Sequence, residues 1–135
     1  MPYIHKVKYY ETDKMGITHH SNYIRWMEEA RIEYLRQIGL DFRTLESEGL
    51  ISPVVSVDCR YRNTTAFDDE VQIDVCIKEF RGVRLIFEYT MTKLPGGEAV
   101  ATATSEHCFI NSAGKPVILG REFPRYDEIL KSYSK

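Results

Sequence analysis

The sequence predicts an α+β domain in which one long helix is set against a five-stranded antiparallel sheet. Two patterns carry that expectation. Apolar residues recur at three- and four-residue intervals from Tyr23 to Ile38, and four later segments alternate apolar with polar residues over lengths suited to long strands. Brief turn signals separate the later segments (Asp68-Asp69, Gly82 and Pro95-Gly96-Gly97), as in strands that follow one another antiparallel.

In order along the chain, residues 3–11 mix β-formers with alternating polar residues and read as the first strand. Gly16 then turns a polar loop, and Ser21 is the expected N-cap of the helix, its hydroxyl placed to accept from an N–H two or three residues on. Tyr23, Ile24, Met27, Ala30, Tyr34, Leu35 and Ile38 form the apolar stripe, while Arg25, Glu28, Glu29, Glu33, Arg36 and Gln37 lie mainly on other faces. Gly39 closes the helix as the residue after its C-cap. At a rise of 1.5 Å per residue the helix is roughly 27 Å long, enough to lie along a whole sheet.

A short helical turn is expected over residues 42–48, ended by Gly49. Ile51, Val55, Val57, Cys59 and Tyr61 alternate with Ser56, Asp58, Arg60 and Arg62 in the second strand; Val71 to Lys78 and Val83 to Met91 give the third and fourth. Residues 98–110 put Ala99, Ala101, Ala103 and Ser105 on one side, a row small enough for close helix approach. Residues 111–116 read as a loop, and Pro124 to Lys131 as a short terminal helix. One helix covers neither both faces nor both edges of such a sheet, so a homo-oligomer is expected.

The 135 residues fit one domain, 1–135, with 43% hydrophobic and 28% charged residues in the ordinary globular range. No run approaches the roughly 18 apolar residues of a membrane span, and the N-terminus lacks the build of a signal peptide, so a cytoplasmic location is expected. A net charge of −2 from 18 basic and 20 acidic residues gives no general attraction to nucleic acid. Cys59, Cys76 and Cys108, odd in number and each within an expected strand, read as reduced structural residues.

Residues 9–23 stand out chemically, because a carboxylate, a glycine turn and two histidines lead straight into the helix N-terminus. Free N–H groups there can stabilise an oxyanion. Each residue also has a plainer reading. Asp13 suits an Asx turn before Gly16, Glu11 a solvated strand position, and Tyr23 the core. His19 and His20 point apart on extended chain and lack a third ligand at workable spacing, so no metal site is expected.

Several stretches together, Glu11-Thr12-Asp13-Lys14-Met15-Gly16-Ile17, Asn22-Tyr23-Ile24-Arg25-Trp26, Phe67-Asp68-Asp69 and Ile77-Lys78-Glu79-Phe80-Arg81, resemble the hotdog-fold acyl-CoA thioesterases of the 4-hydroxybenzoyl-CoA thioesterase-like group. The likeness covers about residues 5 to 110, and its first motif is the specific one. It implies a sheet wrapped around the central helix, a homodimer or homotetramer with sites near the dimer interface, an acyl-CoA substrate and no cofactor. By position it makes Asp13 the catalytic carboxylate, attacking the thioester carbonyl or activating water, and His20 the residue whose backbone N–H polarises that carbonyl. Gly16 would let the backbone pass close to the ligand, and His19 and Tyr23 would line the pocket. Arg60, Arg81 and Arg84, with Arg62 beside them, are candidates for the coenzyme A phosphates. His19-His20 replaces aromatics of the hydroxybenzoyl enzymes, and Gly82-Val83 replaces further basic residues. The competing readings are a hydratase or dehydratase using His20 with Glu28 or Glu29, and a non-catalytic acyl-thioester binding protein.

Overall fold

The computed structural model describes residues 1–135. Its elements are β1 (Tyr3–Lys6), a 3-10 turn (Tyr9–Glu11), α1 (Ser21–Gln37), α2 (Phe42–Ser47), β2 (Val54–Tyr61), β3 (Glu70–Phe80), β4 (Arg84–Leu94), β5 (Glu98–Cys108), α3 (Leu119–Glu122) and α4 (Pro124–Tyr133). All pairings are antiparallel, and the sheet order is β1-β3-β4-β5-β2.

Two expectations need correction here. The first strand stops at Lys6 rather than continuing to residue 11, because the Glu11 carboxylate turns back to take the Lys8 N–H at 2.7 Å and winds the chain into the 3-10 turn. The second concerns strand order. β3, β4 and β5 form the expected meander, but β2 crosses the sheet and pairs with β5, with Val57 opposite Ser105. The connection after Tyr61 is no tight hairpin; it carries Thr65 into buried hydrogen bonds with Thr18 before reaching the Asp68-Asp69 turn.

The helix C-terminus is closed as its glycine suggests. Gly39 has φ +99°, its N–H donates to Arg36 O at 3.2 Å, and the Leu40 N–H reaches Leu35 O at 2.8 Å, the paired bonds of a Schellman ending. Trp26, Met27 and Ala30 bury one face of α1 against Ile73, Ile77, Phe87, Tyr89 and Met91 of the sheet, all within one apolar core. Ala101, Ala103 and Ser105 are buried as the small row requires, but the bulge between Met91 and Thr92 leaves Ala99 exposed and turns Val100 inward. The three cysteines are free and half-buried. No helix is long and apolar enough to cross a membrane.

A polar chain runs through this core. Arg31 Nη1 donates to the Tyr89 hydroxyl at 3.1 Å, Tyr89 and Ser105 hydroxyls lie 2.6 Å apart, and Ser105 Oγ is 2.8 Å from His107 Nε2. Burial, and then the nearby Arg31 cation, pull His107 down from 6.5 to about 4. A histidine kept neutral by the fold takes up its proton first in the unfolded chain, so its contribution to stability is intact above about 6.5 and is lost as pH falls toward about 4. Replacing His107 by glutamine is expected to flatten this loss. Urea midpoints measured between about pH 7 and about pH 5 should fall less steeply in the variant than in the parent.

Candidate active site

The site is assembled by a small hairpin that ends at the start of α1. Its arms are joined by Asp13 N–H to Ile17 O at 2.9 Å, a Thr12–Thr18 bridge, and His19 N–H to Glu11 O at 2.8 Å. At its tip the Gly16 N–H returns to Asp13 O at 3.0 Å with φ +79°, a left-handed conformation that glycine adopts without strain. Nothing lies within 4 Å of a Cβ placed there, so the turn itself, and no close approach within the chain, accounts for Gly16. Asp13 does make the Asx-type contact, with Oδ1 accepting the Met15 N–H at 2.8 Å, while Oδ2 has no partner in the chain. It is half-buried and stands opposite Ile17, which lines a cleft of about 280 Å³ with Thr18, His20, Tyr23, Tyr61, Arg62, Asn63 and Thr64.

The helix start differs from expectation in an informative way. His20 already has helical angles (φ −56°, ψ −29°), and Ser21 is no N-cap. His19 takes that role, its Nδ1 accepting the Ser21 N–H at 3.2 Å and lying 2.9 Å from Ser21 Oγ. Because the chain is helical and not extended at His20, the two imidazoles stack, with centroids 4.3 Å apart, instead of pointing apart. The Asn22 and Tyr23 N–H groups bond the His19 and His20 carbonyls. The expected cluster of free donors therefore shrinks to one, since the His20 N–H has no partner in the chain. That donor sits at the positive end of a 17-residue helix.

Neighbouring side chains hold this start in place. The Tyr61 hydroxyl donates to His20 O at 3.1 Å, and burial beside Cys59 pushes that phenol up to about 12, so it keeps the proton it donates. Asn22 Nδ2 donates to Glu11 O and His19 O. Tyr23 is in the core at 3% exposure, yet its ring also lines the cleft and its hydroxyl lies 2.9 Å from Thr65 Oγ1. Glu11 is neither solvated nor exposed to the cleft, which corrects the sequence reading. Oε1 accepts from His5 Nε2 at 2.8 Å and from the Lys8 N–H, and Oε2 accepts from Trp26 Nε1 at 2.7 Å. Burial alone would raise its carboxyl, but these hydrogen bonds outweigh it and hold the group below its usual value.

Of the expected residues His20 and Tyr23 line the cleft, and Asp13, Gly16 and His19 lie on the hairpin and helix start next to it in sequence, whereas the three arginines have their partners elsewhere. Arg60 is on the outer face paired with Asp58 at 3.7 Å, Arg81 pairs with Glu79 at 2.6 Å, and Arg84 with Glu106 at 3.1 Å. Arg84 stands opposite Cys108, while Tyr61 stands with Ala101 and Met91 at the other end of the sheet. Seven residues along β4 separate the two ends, about 23 Å. Arg62 is the arginine at the cleft, exposed and without a carboxylate partner. Tyr61, Thr65 and Asn22 were not singled out from the sequence; as polar residues flanking the strand end and helix start they gave only a weak signal. No group of three or more histidine, cysteine or acidic residues is placed to hold a metal ion.

A long helix packed on a five-stranded antiparallel sheet, with a cleft at the helix N-terminus, is the hotdog architecture of thioester hydrolases. The model of the thioesterase-like superfamily matches residues 7–130, and the chain belongs to that family. YneP of Bacillus subtilis (strain 168), provisionally named an acyl-CoA thioesterase, is 32% identical over 120 residues, covering 88% of this chain and 86% of its own. The 4-hydroxybenzoyl-CoA thioesterase of Pseudomonas sp. (strain CBS-3) is 29% identical over 97 residues, 69% of each chain. The solved DHNA-CoA thioesterase from Staphylococcus aureus superposes with a TM-score of 0.93 at 29% identity, covering 97% of this chain and 88% of its own.

Proposed function

We propose that the protein hydrolyses acyl-CoA thioesters to the free acid and coenzyme A. The unpaired N–H of His20, a residue that lines the cleft at the start of α1, is the observation that carries this reading, with Asp13 paired through its backbone to the cleft residue Ile17. A thioester carbonyl oxygen seated on that N–H gains a donor and the helix dipole as negative charge develops on it. Asp13 then attacks the carbonyl carbon through Oδ2, or takes a proton from a water that does so. The C–S bond breaks, and the thiolate leaves with the electron pair and is protonated. If Asp13 attacks, water cleaves the resulting anhydride and restores the carboxylate. Metal chemistry is not required, because a thioester is already electrophilic and its thiolate leaves readily.

The free edge of β2 exposes unpaired backbone groups along with Val55, which favours a second copy of the chain as its cover in a homodimer or homotetramer. Arg62 is assigned to the coenzyme A phosphates in preference to Arg60, Arg81 and Arg84, because it alone lines the cleft and lacks an acidic partner. Arg62→Ala is expected to raise KM for acyl-CoA by about tenfold with little change in kcat. An acyl-N-acetylcysteamine thioester, which has no phosphate, should be hydrolysed equally by parent and variant.

Free thiol release from a panel of acyl-CoA substrates tests the reaction. Loss of enoyl absorbance without thiol release would assign a hydratase instead, and binding without either change a non-catalytic carrier.

A further inference from the structure

Arg31 lies on the same stripe of α1 as His20, Ile24 and Met27, and 11 residues of helix bring it back to within about 20° of the His20 face, about 16 Å further along. It is only 8% exposed, and its single side-chain hydrogen bond goes to the neutral Tyr89 hydroxyl. No carboxylate of the chain pairs with it, whereas buried arginines are ordinarily paired. No fully buried side-chain nitrogen or oxygen lacks a partner, so the unbonded guanidinium nitrogens remain reachable from open space. That space is a groove of about 140 Å³ lined by Arg31, Ile24, Met27, Val54 and Val57 and by the oppositely charged Arg25 and Glu28. Arg31 also lines a second, apolar space of about 20 Å³. That volume admits one water, so a ligand has to come from the groove.

The groove and the cleft share no lining residue, but both lie between α1 and β2. β2 forms the outer wall of both, with Tyr61 beside His20 at one end and Val57 and Val54 beside Ile24 and Arg31 at the other. We propose that this seam takes the acyl chain of the substrate, and that Arg31 binds a carboxylate at the chain's far end, which makes the preferred substrates thioesters of medium-length dicarboxylic acids. The planar guanidinium fork matches a carboxylate in two parallel hydrogen bonds, and a chain of ten or so carbons spans the apolar middle. A benzoyl-sized group seated on the His20 N–H of the same chain is too short to reach it. The proposal rests on the thioesterase reading for the position of the thioester, but not for the binding of the acid.

The test has a binding arm and a turnover arm. Decanedioate and decanoate are titrated into the protein, with heat and the Arg31 Nε–H resonance as readouts. Decanedioate is expected to bind at least about tenfold more tightly and to shift that resonance, and Arg31→Met should make the two acids equal. The kcat/KM ratio of decanedioyl-CoA to decanoyl-CoA should fall by a similar factor in Arg31→Met. Tyr89→Phe, which removes the internal partner of the guanidinium and the hydroxyl contact to Ser105, should keep the preference. Arg31→Lys, a second variant in case methionine disturbs the fold, should lower it. Equal binding of the two acids by the parent protein overturns the proposal, as does an unchanged preference in Arg31→Met accompanied by loss of the oligomer, which would give the guanidinium to a subunit contact. Selective decanedioate binding without thiol release from either ester would instead retain the acid site and overturn the thioesterase reading.

Discussion

Asp13→Asn is expected to lower kcat/KM for acyl-CoA hydrolysis by about a hundredfold to ten-thousandfold while leaving the unfolding curve almost unmoved. The geometry makes this a clean substitution. The asparagine Oδ1 still accepts the Met15 N–H, so the turn that carries the residue keeps its hydrogen bond, and only the Oδ2 position changes from a negative oxygen to an amide nitrogen. An amide neither attacks a thioester nor takes a proton from water. Near-parental turnover in Asp13→Asn, measured by thiol release, would remove Asp13 from the chemistry and leave it with the turn alone. Asp13→Ala is the contrasting variant, because it loses the turn acceptor too and should cost about 1 kcal/mol of stability.

The largest expected loss of stability comes from Glu11. Glu11→Leu is expected to destabilise the protein by about 3–5 kcal/mol, read as a lower urea midpoint with an unchanged slope. One carboxylate there satisfies the His5 ring, the Lys8 N–H and the Trp26 indole N–H, and leucine leaves all of these without their acceptor. His5 stacks on Trp26 with centroids 4.5 Å apart and also faces Glu29 at 3.6 Å, so the ring has little freedom to seek another partner. The same carboxylate has an acid signature. Its folded value lies below the ordinary glutamate value of 4.5, so its contribution is present above that pH and is lost as pH falls through the lowered folded value. Glu11→Leu should lack this last acid-dependent loss. Its window opens at about 4.5, near the lower end of the one in which His107 acts, so the His107 loss between about pH 6.5 and about pH 5 is read separately in one pH series.

Much of the architecture could be read from residue spacing. The three- and four-residue recurrence located α1, Gly39 its ending, and the alternation the strands, because each is a local consequence of burying one face. The place of β2 was not readable, since the choice between β3 and β5 as its neighbour is made by the buried Thr65 contacts that steer the connection. Glu11 was misread for a similar reason. An alternating pattern over residues 3–11 suggests an extended chain, but Trp26, fifteen residues on, supplies the partner that buries the carboxylate. At the site, the motif placed Asp13 and His20 on one loop. The acidic partners of two arginines were in part locally legible: Asp58 with Arg60 and Glu79 with Arg81 are two apart in sequence, the spacing that puts strand neighbours on one face. The capping by His19 was hidden by the assumption of extended chain at His20.

The crossing of β2 over the sheet also bears on how the molecule assembles. β3, β4 and β5 pair with near neighbours in sequence, so this meander can form early at small cost in chain entropy. Joining β2 to β5 closes a loop containing β3 and β4, a long-range contact of the slow kind. The Thr65 anchor and the Tyr61 hydroxyl that steady the helix start both lie at or just beyond the end of that strand. Catalytic competence should therefore appear late in refolding, after the bulk of the sheet. The amides of Thr18 and of the β2 edge should exchange with solvent through smaller openings than those of the β3–β4 pair.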